Sequence, residues 1–480
     1  MDRRRFLTGV SALGIGGWLA RPRASAASTG DGRPLDAVIV GGGASGLAAA
    51  WLLKDYRIRV LEAETETGGR TLGGQWRGFH YDKGTEYIGQ PEGAVAEWID
   101  DLGLEALAIP PPTGGVVMDG RLWTGRDILG FLPGTARDDY ERIADRLEVL
   151  YEGGIGAAVD DGAEGVARIR RWDRQTVAGW LAEESAHPLV RELIDVENRG
   201  LFGAANADLS LAWNVPEMAW NLYDPDDAET SGVYSFRRGM QEITAAASRG
   251  LGRRVVETGA RVERIERTPD RKYPLRIHYR RAGQRVSLAA RACVLTVPAP
   301  IAAVIAEPVL SGSARRTLAS VPYAPYVTVN LMLERRVLHE TWSVAAIGEF
   351  FVTLYDAVRT QVAADYRGPA VLGVYVAPDR AGDRSLLALS DTALVRRILD
   401  GLERYVPGIA GLVLDADIQR FEYAFPVFDR RHTERLLALG NDASLAGPLV
   451  LAGDYMVYPT FDGAVESAVK AVERLDDYFG

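Results

Sequence analysis

The chain has 480 residues, of which 47% are hydrophobic, and its formal net charge is −10 at pH 7. This length exceeds what one compact core usually holds, so two domains are expected. An acidic chain without a basic patch argues against nucleic acid as a partner. The single cysteine excludes an intramolecular disulfide and a cysteine-based metal site, and the five histidines are scattered, so no metal site is predicted.

The first 26 residues have the features of an export signal. Arg3 and Arg4 precede an apolar run over residues 6–20, and residues 24–26 read Ala-Ser-Ala, a cleavage site of small residues. The apolar run is shorter than the roughly 20 residues that span a bilayer, so no transmembrane segment is expected here. The pattern resembles a twin-arginine signal peptide (1–26), which implies folded export to the periplasm or beyond, typically with a cofactor already bound.

A glycine-rich turn follows the first strand expected after the signal. The apolar stretch 37–40 predicts a short buried strand, and the alanine-rich stretch 44–53 predicts a helix. The turn between them reads G-x-G-x-x-G, whose glycines permit a tight turn, close approach to a pyrophosphate and close packing of helix on strand. The N-terminus of the helix adds N–H donors for an anion. The predicted cofactor contacts are Gly41, Gly43, Ala44, Ser45 and Gly46.

A carboxylate stands at the end of the second predicted strand. This strand reads RIRVLEA over residues 57–63, and it places Glu62 twenty-one residues after Gly41. A carboxylate at this position bonds the ribose hydroxyls of a dinucleotide. The glycine motif and Glu62 together predict a dinucleotide site, but they do not choose between NAD and FAD.

Further motifs resemble one family nearly from end to end. The turn Gly68-Gly69-Arg70, the stretch "RACVLTVPAP" and the closing segment "LVLAGDYMVYPTFDGAVESAVKAVERL" resemble the flavin amine oxidase superfamily. That superfamily includes monoamine and polyamine oxidases, L-amino-acid oxidases, protoporphyrinogen oxidase and phytoene-desaturase-like enzymes. The resemblance implies an α/β fold with a Rossmann-like FAD-binding domain interleaved with an α+β substrate domain. The implied FAD segments are 34–90, 228–300 and 418–480, and the implied substrate segments are 91–227 and 301–417.

The resemblance also implies which residues contact FAD. The G-G-R turn would lie against the phosphates and ribityl chain, the stretch 80–89 beside the ring, and the strand 260–267 against the adenine. The closing motif would bring an aspartate to a ribityl hydroxyl. A helix starting near Gly463 would then stabilise negative charge on the reduced flavin through its first N–H groups. The residues concerned are Gly69, Arg70, Gly84, Thr85, Val262, Asp454, Ala464 and Val465.

The cofactor is expected to be non-covalent FAD. Covalent members of the superfamily carry a cysteine before the last helix, whereas residues 456–459 here read Met-Val-Tyr-Pro. With neither metal nor redox cysteine, a flavin takes a hydride from a substrate C–H to its N5 atom.

Three side chains are candidates for a catalytic role. Several amine oxidases place a lysine near flavin N5, and Thr328 stands at that position here; the alternative is an ordinary strand threonine. Glu86 could pair with a substrate ammonium or take a proton, or it could be a partly solvated residue paired with an arginine. Tyr458 could form an aromatic wall for a cation or belong to the core. His432 is expected in a surface loop. Further candidates for the aromatic walls are Trp213, Trp220, Tyr323, Tyr326, Tyr455 and Phe461.

The leading functional hypothesis is oxidation of an amine or amino acid at its CH–NH2 group, with O2 or a periplasmic carrier as electron acceptor. A C–C desaturase or protoporphyrinogen-oxidase-like dehydrogenase is the first alternative. A flavoprotein with a non-redox or binding role is the second.

Overall fold

The computed structural model describes residues 34–155, 168–220, 222 and 232–479. The predicted signal peptide over residues 1–26 lies outside this described part. Two seven-stranded sheets organise the molecule, and each has its own apolar core.

The first sheet is built around the strand Leu35–Val40. This strand is almost entirely buried and pairs in parallel with Ile58–Leu61 on one side and with Gln284–Leu295 on the other. Burial on both faces explains why its sequence is a continuous apolar run and does not alternate. In spatial order the strands are Ala260–Arg267, Leu275–Arg281, Gln284–Leu295, Leu35–Val40, Ile58–Leu61 and Val256–Glu257, with Leu449–Leu451 pairing in parallel with Gln284–Leu295.

Three helices pack on this sheet. The helix Ala44–Leu52 contacts both Gln241–Leu251 and the long C-terminal helix Phe461–Phe479. Its run of three buried alanines, residues 48–50, leaves little side-chain bulk between the helices. The helices therefore approach closely around the glycine turn that opens Ala44–Leu52.

The second sheet is mainly antiparallel and is organised around Tyr323–Leu333, which is buried along its whole length. The helix Asp391–Leu402 packs on one side of this sheet, whereas Gly134–Leu150 and Pro188–Phe202 belong to a different core cluster. In spatial order the strands are Val413–Pro426, Tyr323–Leu333, Ala370–Val376, Thr353–Asp356, Ser343–Ala346, Gly115–Met118 and Arg121–Thr124.

One predicted domain boundary requires correction. The third FAD segment was expected to begin at residue 418, but that position lies inside the strand Val413–Pro426, which pairs with Tyr323–Leu333 of the second sheet. The chain therefore returns to the first sheet only after Pro426. The strands at 35–61 and 256–295 do lie in the first sheet, within the predicted segments 34–90 and 228–300.

The remaining elements are short strands and peripheral helices. Two small antiparallel sheets pair Gly73–Trp76 with Phe79–Asp82 and Leu107–Ala108 with Tyr234–Ser235. In the described ranges, no helix has both the length and the apolar character needed to cross a membrane. The other α-helices are Gly93–Asp101, Val177–Glu183, Leu211–Trp220, Ala299–Ile305, Gly312–Ala319 and His432–Gly440.

Candidate active site

A cavity of about 1030 Å³ is lined by residues of both sheets. Gly41, Glu62 and Thr296 line it, and each directly follows a strand of the first sheet. The carboxyl ends of parallel strands are where open α/β sheets bind ligands. The second sheet contributes Thr328 and Tyr375 to the same lining.

Two glycine turns meet at one end of this cavity. Gly41 has a φ of +109°, and a Cβ atom on Gly46 would lie 2.0 Å from the Gly41 carbonyl oxygen. The N–H of Gly68 donates to the carbonyl of Gly42 at 2.9 Å. A Cβ atom on Gly69 would lie 3.1 Å from the Cα atom of Gly43. Because backbone meets backbone here, residues with side chains would open the two turns.

Glu62 lies beside these turns and is only 8% exposed. Its carboxylate accepts from the N–H of Gly42 at 2.6 Å and from the N–H of Glu64 at 2.8 Å. Burial raises the pKa of Glu62, although these backbone bonds oppose the shift. An ionised carboxylate offers about four acceptor positions, so Glu62 keeps acceptor capacity toward the cavity that it lines.

Arg70 and Asp454, predicted separately as cofactor contacts, lie next to each other on the cavity wall. The two side chains form a bidentate pair, with Arg70 Nη1 2.5 Å from Asp454 Oδ2 and Nη2 3.0 Å from Oδ1. Arg70 Nη1 also donates to the carbonyl of Ala424 at 2.7 Å. This pair connects the G-G-R turn to the start of the closing motif.

The C-terminal helix begins at Phe461, earlier than the predicted start near Gly463. The N–H of Ala464 donates to the Thr460 carbonyl at 3.1 Å. Val465 is fully buried in the core and is not part of the cavity lining. The Ala464 N–H is thus already bonded within the chain, and the contact of the Ala464 and Val465 N–H groups with the flavin stays a prediction. Residues 461–464 line the cavity as the first helical turn.

The other predicted cofactor contacts lie on the lining, except Gly46, which is not part of it. Ala44 and Ser45 open the first helix, and the Ser45 hydroxyl is 3.2 Å from that of Ser467 on the C-terminal helix. Val262 lies where the register shifts between strands 260–267 and 275–281. Gly43, Gly69, Gly84, Thr85 and Val262 all line the cavity.

Glu86 also lines this cavity and is 7% exposed. The Tyr375 hydroxyl is 2.5 Å from Glu86 Oε1 and 2.7 Å from the Gly84 carbonyl oxygen. Burial raises the pKa of Glu86 to about 8, and the Tyr375 hydrogen bond opposes this shift. The alternative of a partly solvated residue paired with an arginine is wrong, because the partner is a tyrosine. The phenolic proton serves one acceptor at a time, so Tyr375 donates to Glu86 when Glu86 is ionised.

Thr328 holds the segment that carries Glu86. Its hydroxyl donates to the Lys83 carbonyl at 2.8 Å, and Asn330 two residues later donates to the Asp82 carbonyl at 3.0 Å. The sheet register places Thr328 directly opposite Tyr375. Thr328 is on the lining, but its hydroxyl is already bonded to the backbone, which supports a positioning role.

Aromatic rings surround Glu86 and extend along the cavity. The ring of Tyr375 lies 5.0 Å from that of Tyr355 and 5.7 Å from that of Tyr326. Tyr458 donates its hydroxyl to the Trp213 carbonyl at 2.7 Å. Of the predicted wall residues, Trp213, Tyr326, Tyr458 and Phe461 line the cavity, Tyr323 and Tyr455 do not, and the Trp220 side chain lies outside the described part.

Sequence reasoning missed Tyr355 and Tyr375 and misplaced His432. His432 is 1% exposed and stacks on Phe428 with ring centroids 3.5 Å apart. Burial lowers its pKa well below the ordinary value, and it is not part of the lining. The two tyrosines lie on strands far from Glu86 in sequence. Only the alternation of side chains along these buried strands could have indicated that both tyrosines lie on the same face of the sheet.

A family model described as flavin containing amine oxidoreductase matches residues 44–476. The chain belongs to this family. In the described residues no cluster of three or more His, Cys, Asp or Glu is arranged to hold a metal ion. The family's flavin fits the cavity, because the glycine turns leave space for a pyrophosphate and Glu62 retains acceptor positions.

Relatives within the flavin amine oxidoreductase family match parts of the chain. A Mycobacterium tuberculosis protein provisionally named flavin-containing monoamine oxidase AofH is 31% identical over 247 residues, which is 48% of this chain and 52% of that protein. The chain thus spans about half the length of this relative. The coproporphyrinogen III oxidase of Propionibacterium freudenreichii is 25% identical over 209 residues, 39% of this chain and 35% of that protein.

Solved structures of the flavin amine oxidoreductase fold match most of the chain. Putrescine oxidase bound to putrescine covers 92% of this chain with a TM-score of 0.71, and cyclohexylamine oxidase from Brevibacterium oxydans IH-35A covers 93% with a TM-score of 0.72. In both cases the identity is 20% and 99% of the other chain is covered. These matches show the shared α/β fold.

Proposed function

We propose that this FAD-dependent enzyme oxidises the CH–NH2 group of an amine that carries no carboxylate. The observation that supports this most directly is Glu86, a buried carboxyl group beside aromatic rings on the cavity lining. A buried carboxylate requires a compensating positive charge, which a substrate ammonium supplies. A polyene substrate supplies no positive charge, so with such a substrate Glu86 would stay in its neutral, protonated form.

The charges of the lining support an amine over an amino acid or a porphyrinogen. Among the described lining residues the cationic side chains are Arg70, Arg261 and Lys470. Each has a carboxylate partner: Asp454 for Arg70, Glu64 at 3.1 Å for Arg261, and Glu466 at 2.7 Å for Lys470. A substrate carboxylate beside the aromatic residues would find no unpaired cation among these three side chains, because each already pairs with a carboxylate. Burying it without a partner is costly, which weighs against the porphyrinogen alternative suggested by one relative.

In this proposal the protein's own residues have distinct tasks. The ionised Glu86 accepts a proton from the bound ammonium, which frees the nitrogen lone pair and leaves Glu86 neutral. The Tyr375 hydroxyl stabilises the ionised form of Glu86 before this transfer. Aromatic walls containing Tyr326 and Tyr458 exclude water and favour the cation. Bound FAD supplies the hydride acceptor, its N5 atom.

The test is the substitution Glu86→Gln in FAD-loaded protein. It keeps the shape of the side chain and removes the charge, so kcat/KM for an active amine should fall tenfold or more, about 1.4 kcal/mol, with FAD content unchanged. Glu473→Gln is the matched control, because Glu473 is an exposed carboxylate elsewhere on the lining. Equal activity of the two variants would place the ammonium site elsewhere.

We propose that the FAD is bound without a covalent bond. The single cysteine, Cys293, is buried in the strand Gln284–Leu295 and is not part of the lining. Acid denaturation should therefore release all flavin into the filtrate. Flavin that stays with the precipitated chain would contradict this proposal.

We propose that the chain is exported folded by the twin-arginine route to the periplasm or beyond, where O2 or a periplasmic carrier reoxidises it. Replacing Arg3 and Arg4 by lysines should leave yellow protein in the cytoplasm. Unchanged export of the lysine variant would contradict the route. The rate at which O2 reoxidises the reduced enzyme, measured by stopped flow, distinguishes O2 from a periplasmic carrier as the electron acceptor.

A further inference from the structure

A second cavity, of about 890 Å³, lies on the other side of the segment that forms the G-G-R turn. Thr71 lines both this cavity and the cofactor cavity. One wall is the face of helix Gln241–Leu251 that carries Gln241, Thr244 and Ser248, whereas Ile243 and Ala247 of that helix point to the core. The amine oxidation proposed above does not use this polar face of the helix.

Positive charge is concentrated in this second cavity. Its lining holds two carboxylates, Glu66 and Glu257, although the chain as a whole has a net charge of −10. The only other charged residues of the lining are five arginines: Arg59, Arg249, Arg253, Arg254 and Arg281.

Two of these guanidinium groups are fixed by a buried carboxylate. The Glu257 side chain is 5% exposed, and its oxygens lie 2.5 Å from Arg59 Nη1 and 3.3 Å from Arg281 Nη1. Each guanidinium has five donors, and Glu257 occupies only part of them. Arg59 is half-buried, whereas the other four arginines of the lining are exposed, so Glu257 connects two guanidinium groups of a largely exposed set to the core.

Of the other arginines, Arg249 lies in the last turn of the helix Gln241–Leu251, and Arg253 and Arg254 follow the end of that helix. Within the described part of the chain, Arg249 and Arg253 form no ion pair with a carboxylate. Arginine near a helix C-terminus offsets the helix dipole, but that dipole amounts to only about half a unit charge. Arg249 and Arg253 together already exceed this requirement.

We propose that this second cavity binds a phosphate-bearing small molecule, separately from FAD. Guanidinium groups bind phosphate oxygens in bidentate fashion, and the hydroxyls of Thr65, Thr67 and Ser248 add donors on the same lining. The concavity has the size of a small-molecule site, whereas a protein partner would need a broader surface. The proposal is independent of which substrate the flavin oxidises.

The test uses FAD-loaded protein, so that the cofactor's own pyrophosphate site is filled. Inorganic pyrophosphate is titrated at low ionic strength by calorimetry, with sodium sulfate at matched ionic strength as the comparison anion. We expect saturable pyrophosphate binding with one site and at least tenfold weaker sulfate binding. The double variant Arg249→Ala/Arg253→Ala should weaken pyrophosphate binding at least tenfold.

The matched control is Arg271→Ala/Arg276→Ala, which removes the same charge from two exposed positions outside the cavity. The control should bind pyrophosphate as the wild type does. Absence of binding at millimolar pyrophosphate would overturn the proposal. Equal weakening in both double variants, or sulfate binding as tight as that of pyrophosphate, would also overturn it, because either result indicates diffuse charge attraction. Turnover of an amine is measured separately and does not enter this test.

Discussion

Glu62 and Glu86 are two buried carboxyl groups of the cofactor cavity whose pKa is raised by burial, yet their environments are constructed differently. Glu62 receives backbone N–H groups from Gly42 and Glu64, all within one short strand-turn-helix unit. Glu86 instead receives a hydroxyl from Tyr375, which is 289 residues away in sequence.

This difference in hydrogen-bond partners matches two different roles, with Glu62 in cofactor binding and Glu86 in the oxidation of the substrate. Backbone donors fix Glu62 regardless of nearby side chains, which suits a contact to an invariant cofactor. The partner of Glu86 is one side chain on a strand of the second sheet, so its environment changes with a single substitution. We therefore expect variants around Glu62 to change cofactor affinity and variants around Glu86 to change turnover.

The largest effect is expected from Gly46→Ala. Its Cβ atom would lie 2.0 Å from the Gly41 carbonyl oxygen, so the turn must open. Overpacking of this kind costs about 1–3 kcal/mol or more. Flavin content per chain and the melting temperature should both fall sharply. Gly447→Ala, where a Cβ atom meets nothing within 4 Å, is the control and should change neither.

Glu62→Gln should weaken FAD binding by about 1.5–3 kcal/mol, the value of a hydrogen bond to a charged group. Turnover at saturating FAD should remain that of the wild type, which is the reverse of the Glu86→Gln pattern. The measurement is an FAD titration of apoprotein followed by fluorescence quenching. Wild-type FAD affinity in this variant would remove Glu62 from the cofactor site.

The pH dependence of stability should differ between wild type and Glu86→Gln. The folded pKa of Glu86, about 8, lies above the ordinary value of 4.5, so the folded state holds a proton that the unfolded state has lost between these values. This contribution to stability is present at low pH and decreases as pH rises through 8, by at most about 1.4 kcal/mol per pH unit. Unfolding in urea at several pH values measures it. Parallel curves for the two proteins would contradict the raised pKa.

The smallest effect is expected from Tyr375→Phe, which removes one hydrogen bond worth about 0.5–1.5 kcal/mol. Because that bond favours ionised Glu86, its loss raises the pKa of Glu86 further. The acid limb of the kcat/KM profile should therefore move to higher pH, with FAD content unchanged. A uniform drop in activity at all pH values would indicate a packing effect instead.

The contrast between the local partners of Glu62 and the distant partner of Glu86 also explains which parts of the site could be predicted from the sequence. The glycine turn, Glu62 and the strand–helix order were predictable because their contacts lie within thirty residues and have a fixed spacing. Tyr355 and Tyr375 were missed because the register of the second sheet, which places Tyr375 opposite Thr328, is set by long-range packing. His432 was misplaced because a polar residue before a helix carries no local sign of burial by Phe428.

Anaerobic bleaching of the bound flavin with matched compounds tests most directly whether the substrate is an amine without a carboxylate. 2-Phenylethylamine and phenylalanine differ only in the carboxylate, and a porphyrinogen represents the alternative class of substrate. Cyclohexylamine and putrescine widen the amine set. We expect that at least one amine bleaches the flavin, whereas phenylalanine and the porphyrinogen do not. Bleaching by phenylalanine or the porphyrinogen, with every amine inert, would contradict it.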